Sequence, residues 1–386
     1  MRYSGVALAI GTIVFSACSG GSGTTMPQAG GVLGDAARNP MNVSYKLLVS
    51  LGPDTGYEPL TGLTKLGGTF YGTTSSSRGS RGEIFSVDPS GKFTVLHRFG
   101  TFTKPLGDLI AYNGTLYGTA NHGSATNKGI VFSVTPAGVE KDLYTFKGGA
   151  DGAHPQGRLA VLGGTLYGTT TSGGSADAGT VFSVSTAGVE NVIYSFPSNS
   201  QNSVPVGGLV AFGGALYGTT SSGNGGIFKI TPSGAQTVLH AFSGGSDGAN
   251  PQAAPIASGG LLYGTTSAGG AKAGGTVFSI TTTGTVRVLY SFDASGNGDG
   301  YGPVTGLILA NGAFYGTTLS GGKNDYGTVF SVTPSGTERV VYRFQHTKLS
   351  GAAPRGGVVF YKGALYGTTQ LGGHDGVDGT IYRVTP

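Results

Sequence analysis

The sequence predicts an all-β fold: a seven-bladed β-propeller with four antiparallel strands per blade, the last blade closed by an N-terminal strand. Three observations carry this. The tetrapeptide Tyr-Gly-Thr-Thr, or a near copy, begins at Tyr71, Tyr117, Tyr167, Tyr217, Tyr263, Tyr315 and Tyr366, at intervals of 46, 50, 50, 46, 52 and 51 residues. A repeat of that length, built from short apolar runs and glycine turns, marks a propeller with one blade per repeat. The first six repeats also hold four runs of strand length each, and no stretch of 3.6-residue period competes with them. Finally, the seventh repeat lacks its fourth run, while an unmatched run stands ahead of the first repeat.

Residues 206–242 show the unit. Leu209 to Phe212 is run A, Leu216 to Thr220 is B, Ile227 to Thr231 is C and Thr237 to Phe242 is D. All four are rich in β-branched or aromatic residues, which suit a pleated, half-buried surface. Gly213-Gly214 supplies a tight A–B turn and Pro232-Ser233-Gly234 the C–D turn. The C run recurs as Val131-Phe132-Ser133-Val134 and Val181-Phe182-Ser183-Val184, and the D run as Val192-Ile193-Tyr194-Ser195-Phe196. After the seventh C run come only Thr385-Pro386, so Tyr45 to Leu51, within residues 44–52, is expected to supply the missing D strand. Closure of that kind protects edges that would otherwise pair between molecules.

An up-and-down blade sorts its connections by face. A–B and C–D turns share one face and are short, as at Asn113-Gly114 and Thr333-Pro334-Ser335-Gly336. B–C and D–A connections share the other and include the long stretches Thr171 to Gly179 and Gly148 to Gly157. Long loops on a rigid scaffold are where binding usually resides, so the B–C/D–A face is the candidate functional face.

Composition narrows the class. The chain has 386 residues, 75 of them Gly, with 38% hydrophobic and 11% charged residues. That charge is too sparse for a disordered polyelectrolyte, and the apolar fraction suffices for a core. The net charge of +5 comes from scattered Lys and Arg without a basic run, which argues against nucleic-acid binding. Cys18 is the only cysteine, so an intramolecular disulfide or a cysteine-rich metal site is excluded.

Residues 1–17 read as a signal peptide: Arg2 is a short positive region, and Val6 to Phe15 is apolar but too short to span a bilayer. Phe15-Ser16-Ala17-Cys18 resembles a bacterial lipobox, which makes Cys18 the candidate lipidation site and the membrane a partner through that anchor. The plainer alternative is an ordinary cleavage near Ala17 that releases a periplasmic or secreted protein. Ser19 rather than Asp follows the cysteine, which directs the expectation to the outer membrane. Residues 18–43 are a Gly/Ser-rich tether, and residues 44–386 the propeller, expected to be a monomer.

The pattern LYGTT…GG…GTVFSVTPSG…LYSF…DG…P resembles the GloVer-type tandem repeat of bacterial surface proteins. It covers the chain from about Tyr45 to Pro386, with Ala120 in place of the last Thr in the second copy. The resemblance implies a secreted or surface-attached propeller whose anchoring device varies from protein to protein. It implies no catalytic residues. Kelch repeats have a similar period but normally include Trp, which this chain lacks.

Candidate site residues are those on the loop-rich face that break the repeat: His122, His154, Tyr301, Asp325, Tyr326, His374, Asp375 and Asp378. Asp375 and Asp378, three apart in one loop, are the better metal candidates, and Ca²⁺ is the ion their oxygens suit, although the expectation is that no cofactor is needed. Asp54, Asp151, Asp247 and Asp299 recur beside Gly in D–A loops, which fits turn-forming carboxylates better than calcium ligands. His97 and His240 take the place of a D-strand Tyr and read as packing residues, and His346 falls in a loop. No G-x-S-x-G elbow or phosphate loop is present in a fitting context. Two function classes follow: a non-catalytic module binding a polymer or protein, and an extracellular hydrolase or lyase acting on glycans or another polymer. The second needs paired carboxyl groups, with Asp325, Asp375 and Asp378 the ones to examine.

Overall fold

A computed structural model describes residues 43–76, 81–100, 102–123, 125–198, 202–295 and 298–386. Among the described residues its sheets follow the repeat, with one antiparallel blade sheet per repeat and a further two-stranded sheet in the sixth. In blade 4, strand A is Pro205–Phe212, B is Ala215–Thr220, C is Gly226–Ile230 and D is Gln236–Ala241, hydrogen-bonded in that order. Each strand lies within a few residues of its predicted place. The largest difference is strand A, which starts four residues early because Pro205 also pairs with Thr220.

The seventh blade is completed by Ser44–Ser50, antiparallel to Thr380–Thr385, with Ser44 opposite Thr385 and Ser50 opposite Thr380. A bulge confirms that this strand is the missing D strand. Each D strand skips one residue in its pairing with C: Leu96, Leu143, Ile193, Leu239, Leu289 and Val341 in blades 1 to 6. The N-terminal strand skips Leu48 in the same way. Bulges of this kind bend a strand and increase its twist, so the shared bulge gives every outer strand one curvature.

The core is a ring of seven apolar clusters, and each cluster belongs to two neighbouring blades. One joins Tyr71, Ile84 and Phe99 of blade 1 to Leu109, Leu116, Phe132 and Val134 of blade 2. Another joins Leu51, Tyr366 and Ile381 of blade 7 to Leu63, Phe70, Phe85 and Val87 of blade 1, closing the ring. The D-strand Phe is the recurring wedge. Phe146 meets Phe182 of the next blade edge-on with centroids 5.1 Å apart, and Phe292 meets Phe330 at 4.9 Å. Edge-to-face geometry sets a ring's positive rim against its neighbour's negative face. Strands B and C are buried on both sides for the same reason, since each blade is packed between two others.

The repeated tetrapeptide now has a physical reading. Its Tyr packs on the next blade, as Tyr263 does on Phe314 with centroids 4.2 Å apart. Its Gly leaves room for the C-strand ring of its own blade: a Cβ on Gly168 would stand 2.5 Å from Phe182 Cζ. Its first Thr reaches across the blade boundary, as where Thr265 Oγ1 donates to the Thr305 carbonyl at 3.0 Å and Thr368 Oγ1 to the Thr61 carbonyl at 2.9 Å. Its second Thr pairs within the blade, Thr266 Oγ1 with Thr276 Oγ1 at 2.8 Å and Thr318 Oγ1 with Thr328 Oγ1 at 2.8 Å.

A second clasp joins blades on the loop-rich face. The residue before the Pro that leads into strand A sits in the left-handed region in five blades: Glu58, His154, Val204, Asn250 and Ala353, with φ between 52° and 59°. That conformation is costly for a side chain and for a residue preceding Pro, so the surroundings must hold it. They do so from both sides. Val204 N donates to the Ala178 carbonyl of the preceding blade at 3.0 Å, and its own carbonyl accepts from Ser221 N of the next strand B at 3.0 Å. The Pro itself fills the space beside a glycine of the preceding blade, since a Cβ on Gly179 would stand 2.7 Å from Pro205 Cδ.

The loop-rich face is more ordered than its sequence indicates. Within the predicted loop Gly148 to Gly157 there is a 3₁₀ turn, Gly149–Asp151, and a short strand, Ala153–Pro155, that pairs with strand B. Strand B of that blade extends through Ser172, into the predicted loop Thr171 to Gly179. Gly300–Tyr301 likewise pairs with Ser320–Gly321. Among the described residues no helix is long and apolar enough to cross a membrane.

Candidate functional site

The sequence-selected residues occupy the loop-rich face in separate groups. His122 ends strand B of blade 2 and His154 precedes Pro155, and the clasp brings their rings to 5.0 Å. His154 Nδ1 lies 3.0 Å from the Asn121 carbonyl, so that nitrogen carries the proton. Burial, with His154 and Lys104 beside it, holds His122 below the usual histidine range.

Asp325 Oδ1 accepts the Gly321 N–H at 2.7 Å. Asp177 does the same for Gly173 at 2.7 Å and Asn127 for Gly123 at 3.3 Å. Asp325 is therefore a loop cap that recurs in three blades, not a residue that breaks the repeat. Tyr301 and Tyr326, expected as exposed loop residues, are both half-buried. Tyr301 lies in the Gly300–Tyr301 strand, where Asp325 beside its hydroxyl raises its pKa. Tyr326 packs on His346 with ring centroids 4.8 Å apart. Tyr301 and Asp325 share an open groove of about 430 Å³ with Lys323 and Asn324.

His374, Asp375 and Asp378 come together in the seventh B–C loop, each offering one ligand atom within 4.8 Å of the others. His374 Nδ1 lies 2.9 Å from Asp375 Oδ1, and Asp375 N donates to Asp378 Oδ2 at 3.0 Å. Asp378 is buried while the other two are exposed. One imidazole and two carboxylates are the donors this loop could offer a divalent ion.

The D–A aspartates are held by protein donors in three of four loops. Tyr144 Oη donates to Asp151 Oδ1 at 2.6 Å and Lys147 N to Asp151 Oδ2 at 2.6 Å. Asp299 takes the Tyr290 hydroxyl at 2.7 Å, and Asp247 Oδ2 takes Ser243 N at 3.0 Å, with His240 Nε2 also at 3.0 Å. His97 and His240 also pack edge-on against Phe99 and Phe242, each at 4.9 Å. Two outer-strand glutamates have a carboxyl beside them: burial, with Asp151 of the D–A turn beside it, pushes Glu190 up to about 7, and burial, with Asp142 of the same strand beside it, pushes Glu140 up to about 7.

The axis holds a cavity of about 660 Å³ walled by the segments that lead from the Pro into each of the seven A strands. The position after each Pro is Leu60, Leu106, Gln156, Val206, Gln252, Val304 or Arg355. Two residues further, five blades have Gly or Ala, and only blades 2 and 3 differ, with Asp108 and Arg158. Arg355 Nε donates to Gln370 Oε1 at 2.6 Å, which fixes the guanidinium at the loop-rich mouth. Asp108 Oδ1 accepts the Gly62 N–H at 2.7 Å. Reading run A as beginning at the apolar Leu of each repeat missed these residues. Aligning the repeats at the Pro would have exposed them, because Asp108 and Arg158 replace a glycine there.

The model of the Gloeobacter/Verrucomicrobia repeat matches residues 23–226 and 221–386. The chain belongs to the Gloeobacter/Verrucomicrobia repeat family. No curated protein matches it. Among solved structures, this repeat-family chain is similar to virginiamycin B lyase from Staphylococcus aureus, with 19% identity and a TM-score of 0.61, over 89% of this chain and 99% of that one. It is also similar to a prolyl endopeptidase, with 12% identity and a TM-score of 0.50, over 84% of this chain and 47% of that one. At these identities the likeness is one of fold.

Proposed function

We propose that the protein is a surface-anchored, non-catalytic binding module that engages a polymer or a protein partner through its B–C/D–A face. The observation that carries this reading is the position of Ser44. It pairs with Thr385 at the tight-turn end of blade 7, so the segment before it leaves from the face opposite the long loops. A chain anchored at Cys18 would thus be attached on the side away from the long loops, with the Gly/Ser-rich tether between. The exposed apolar residues Phe102, Leu349 and Val377 lie on that face. The alternative is a hydrolase or lyase acting on a glycan or another polymer. Against it, Glu140–Asp142 sits on an outer strand, Glu190–Asp151 joins an outer strand to a D–A turn, and Asp108 is the sole carboxylate among the residues lining the axial cavity.

The test is to screen the purified protein on glycan and bacterial surface-protein arrays, then repeat with two variants. F102S/L349S/V377S is expected to lose the partner. V139S/V189S, altered at exposed positions of the C–D turns, is expected to keep it. A partner lost only with the second variant would place binding on the wrong face and end this reading.

A further inference from the structure

We propose that the axial channel is a binding site for an amphipathic carboxylate, an organic acid with an apolar body. Its volume of about 660 Å³ lies in the range that encloses small molecules. Its charge is lopsided. Arg158 and Arg355 both line it and both are exposed, whereas Asp108 is the one carboxylate on its wall. Asp108 is already engaged by the Gly62 N–H, and no carboxylate among the described residues lies within ion-pair distance of either arginine.

Blades 3 and 7 stand three apart in a ring of seven, so the two guanidiniums approach from nearly opposite walls. The Gln370 contact uses one N–H of Arg355 and leaves the paired terminal nitrogens to meet an acid. A planar guanidinium matches a carboxylate in a two-point grip that an ammonium cannot give. The rest of the wall is mixed: Leu60, Val206 and Ile308 give it apolar stretches, between Lys65, Gln156, Gln252 and Thr305. An alkyl or aryl body gains against those apolar side chains by leaving water. This goes beyond the loop-face reading, because a channel ligand and a loop-face partner can each be present without the other.

The test is isothermal titration of the purified protein with sodium octanoate, and with octylammonium chloride as the control of opposite charge. Octanoate is expected to bind saturably with one site per chain and more weakly as salt is raised. R158Q and R355Q, both at exposed positions, should each weaken it by about tenfold with the melting temperature unchanged. The proposal is overturned if octanoate shows no saturable binding, if octylammonium binds equally well, or if the R158Q/R355Q double variant binds octanoate as tightly as the parent.

Discussion

At the scale of the residue, the second Thr of the tetrapeptide is not equivalent from blade to blade. Thr266 shares a buried bond with Thr276 Oγ1 and also accepts the Thr276 N–H at 3.0 Å. In blade 4 the C-strand partner is Gly226, and the buried Thr220 hydroxyl has no partner. A buried donor without a partner costs about 1–3 kcal/mol, whereas a satisfied pair contributes modestly. Thr266→Val is therefore expected to lower the unfolding free energy by about 1–2 kcal/mol, because it orphans the Thr276 N–H. Thr220→Val is expected to be neutral or stabilising. Denaturant unfolding of the two variants checks this, and equal losses would count against it.

Glu190 gives a second residue-scale prediction. Its carboxyl is raised to about 7 in the folded protein, from an ordinary value of 4.5 in the unfolded chain. Between those values the folded state binds the proton and the unfolded state does not. Stability from this group is thus complete below about pH 4.5 and lost as pH rises through 7. Glu190→Gln should remove that loss, so the variant's melting temperature should gain on the parent's between pH 5 and 8. A constant difference across that range would refute the assignment. The tetrapeptide was legible as a repeat, but the work of each atom in it was not. A repeated Thr looks alike in every copy, and only its cross-strand partner (Thr, Glu or Gly) decides whether it is satisfied.

At the scale of the element, the borrowed strand Ser44–Ser50 does what six other D strands do, down to the bulge at Leu48. Without it, strand Thr380–Thr385 would have an open edge, and Leu51 would leave the cluster it shares with Phe70 and Phe85. Deleting residues 44–52 is expected to abolish cooperative unfolding or to cause aggregation, read by circular dichroism and light scattering. An unchanged melting curve would show that the ring does not depend on closure. Strands A to D were legible because each is a short apolar run between turn residues. The short pairings at Lys104–Pro105 and Gly300–Tyr301 were not, because two residues carry no period. The channel arginines escaped notice for a related reason. They lie ahead of the apolar run, where the chain reads as loop although it already faces the axis.

At the scale of the whole molecule, the two faces differ in the connections they carry. Strand Ser44–Ser50 begins at the tight-turn face, whereas the long connections share the other. Cys18 lies outside the described residues, so its role is tested in the cell. Cys18→Ala is expected to move the protein from the membrane fraction to the soluble one, and retention in the membrane would refute lipid anchoring. The loop face was legible as a face, since strand order alone sorts the connections. Its groupings were not: His122 and His154 meet only because the clasp before Pro155 turns one blade toward the next.

The closing strand also sets a timetable. Ser44–Ser50 is made before any repeat, and its partner Thr380–Thr385 after nearly all of them. Until residue 385 has left the ribosome, the ring has a gap with one bare blade face on each side. A long-range contact of this kind is slow to form and rewards nothing until it is complete. The ring of the nascent chain therefore stays open for as long as it is being made. A product cut short before Thr380 can never close, and its bare faces expose it to proteases.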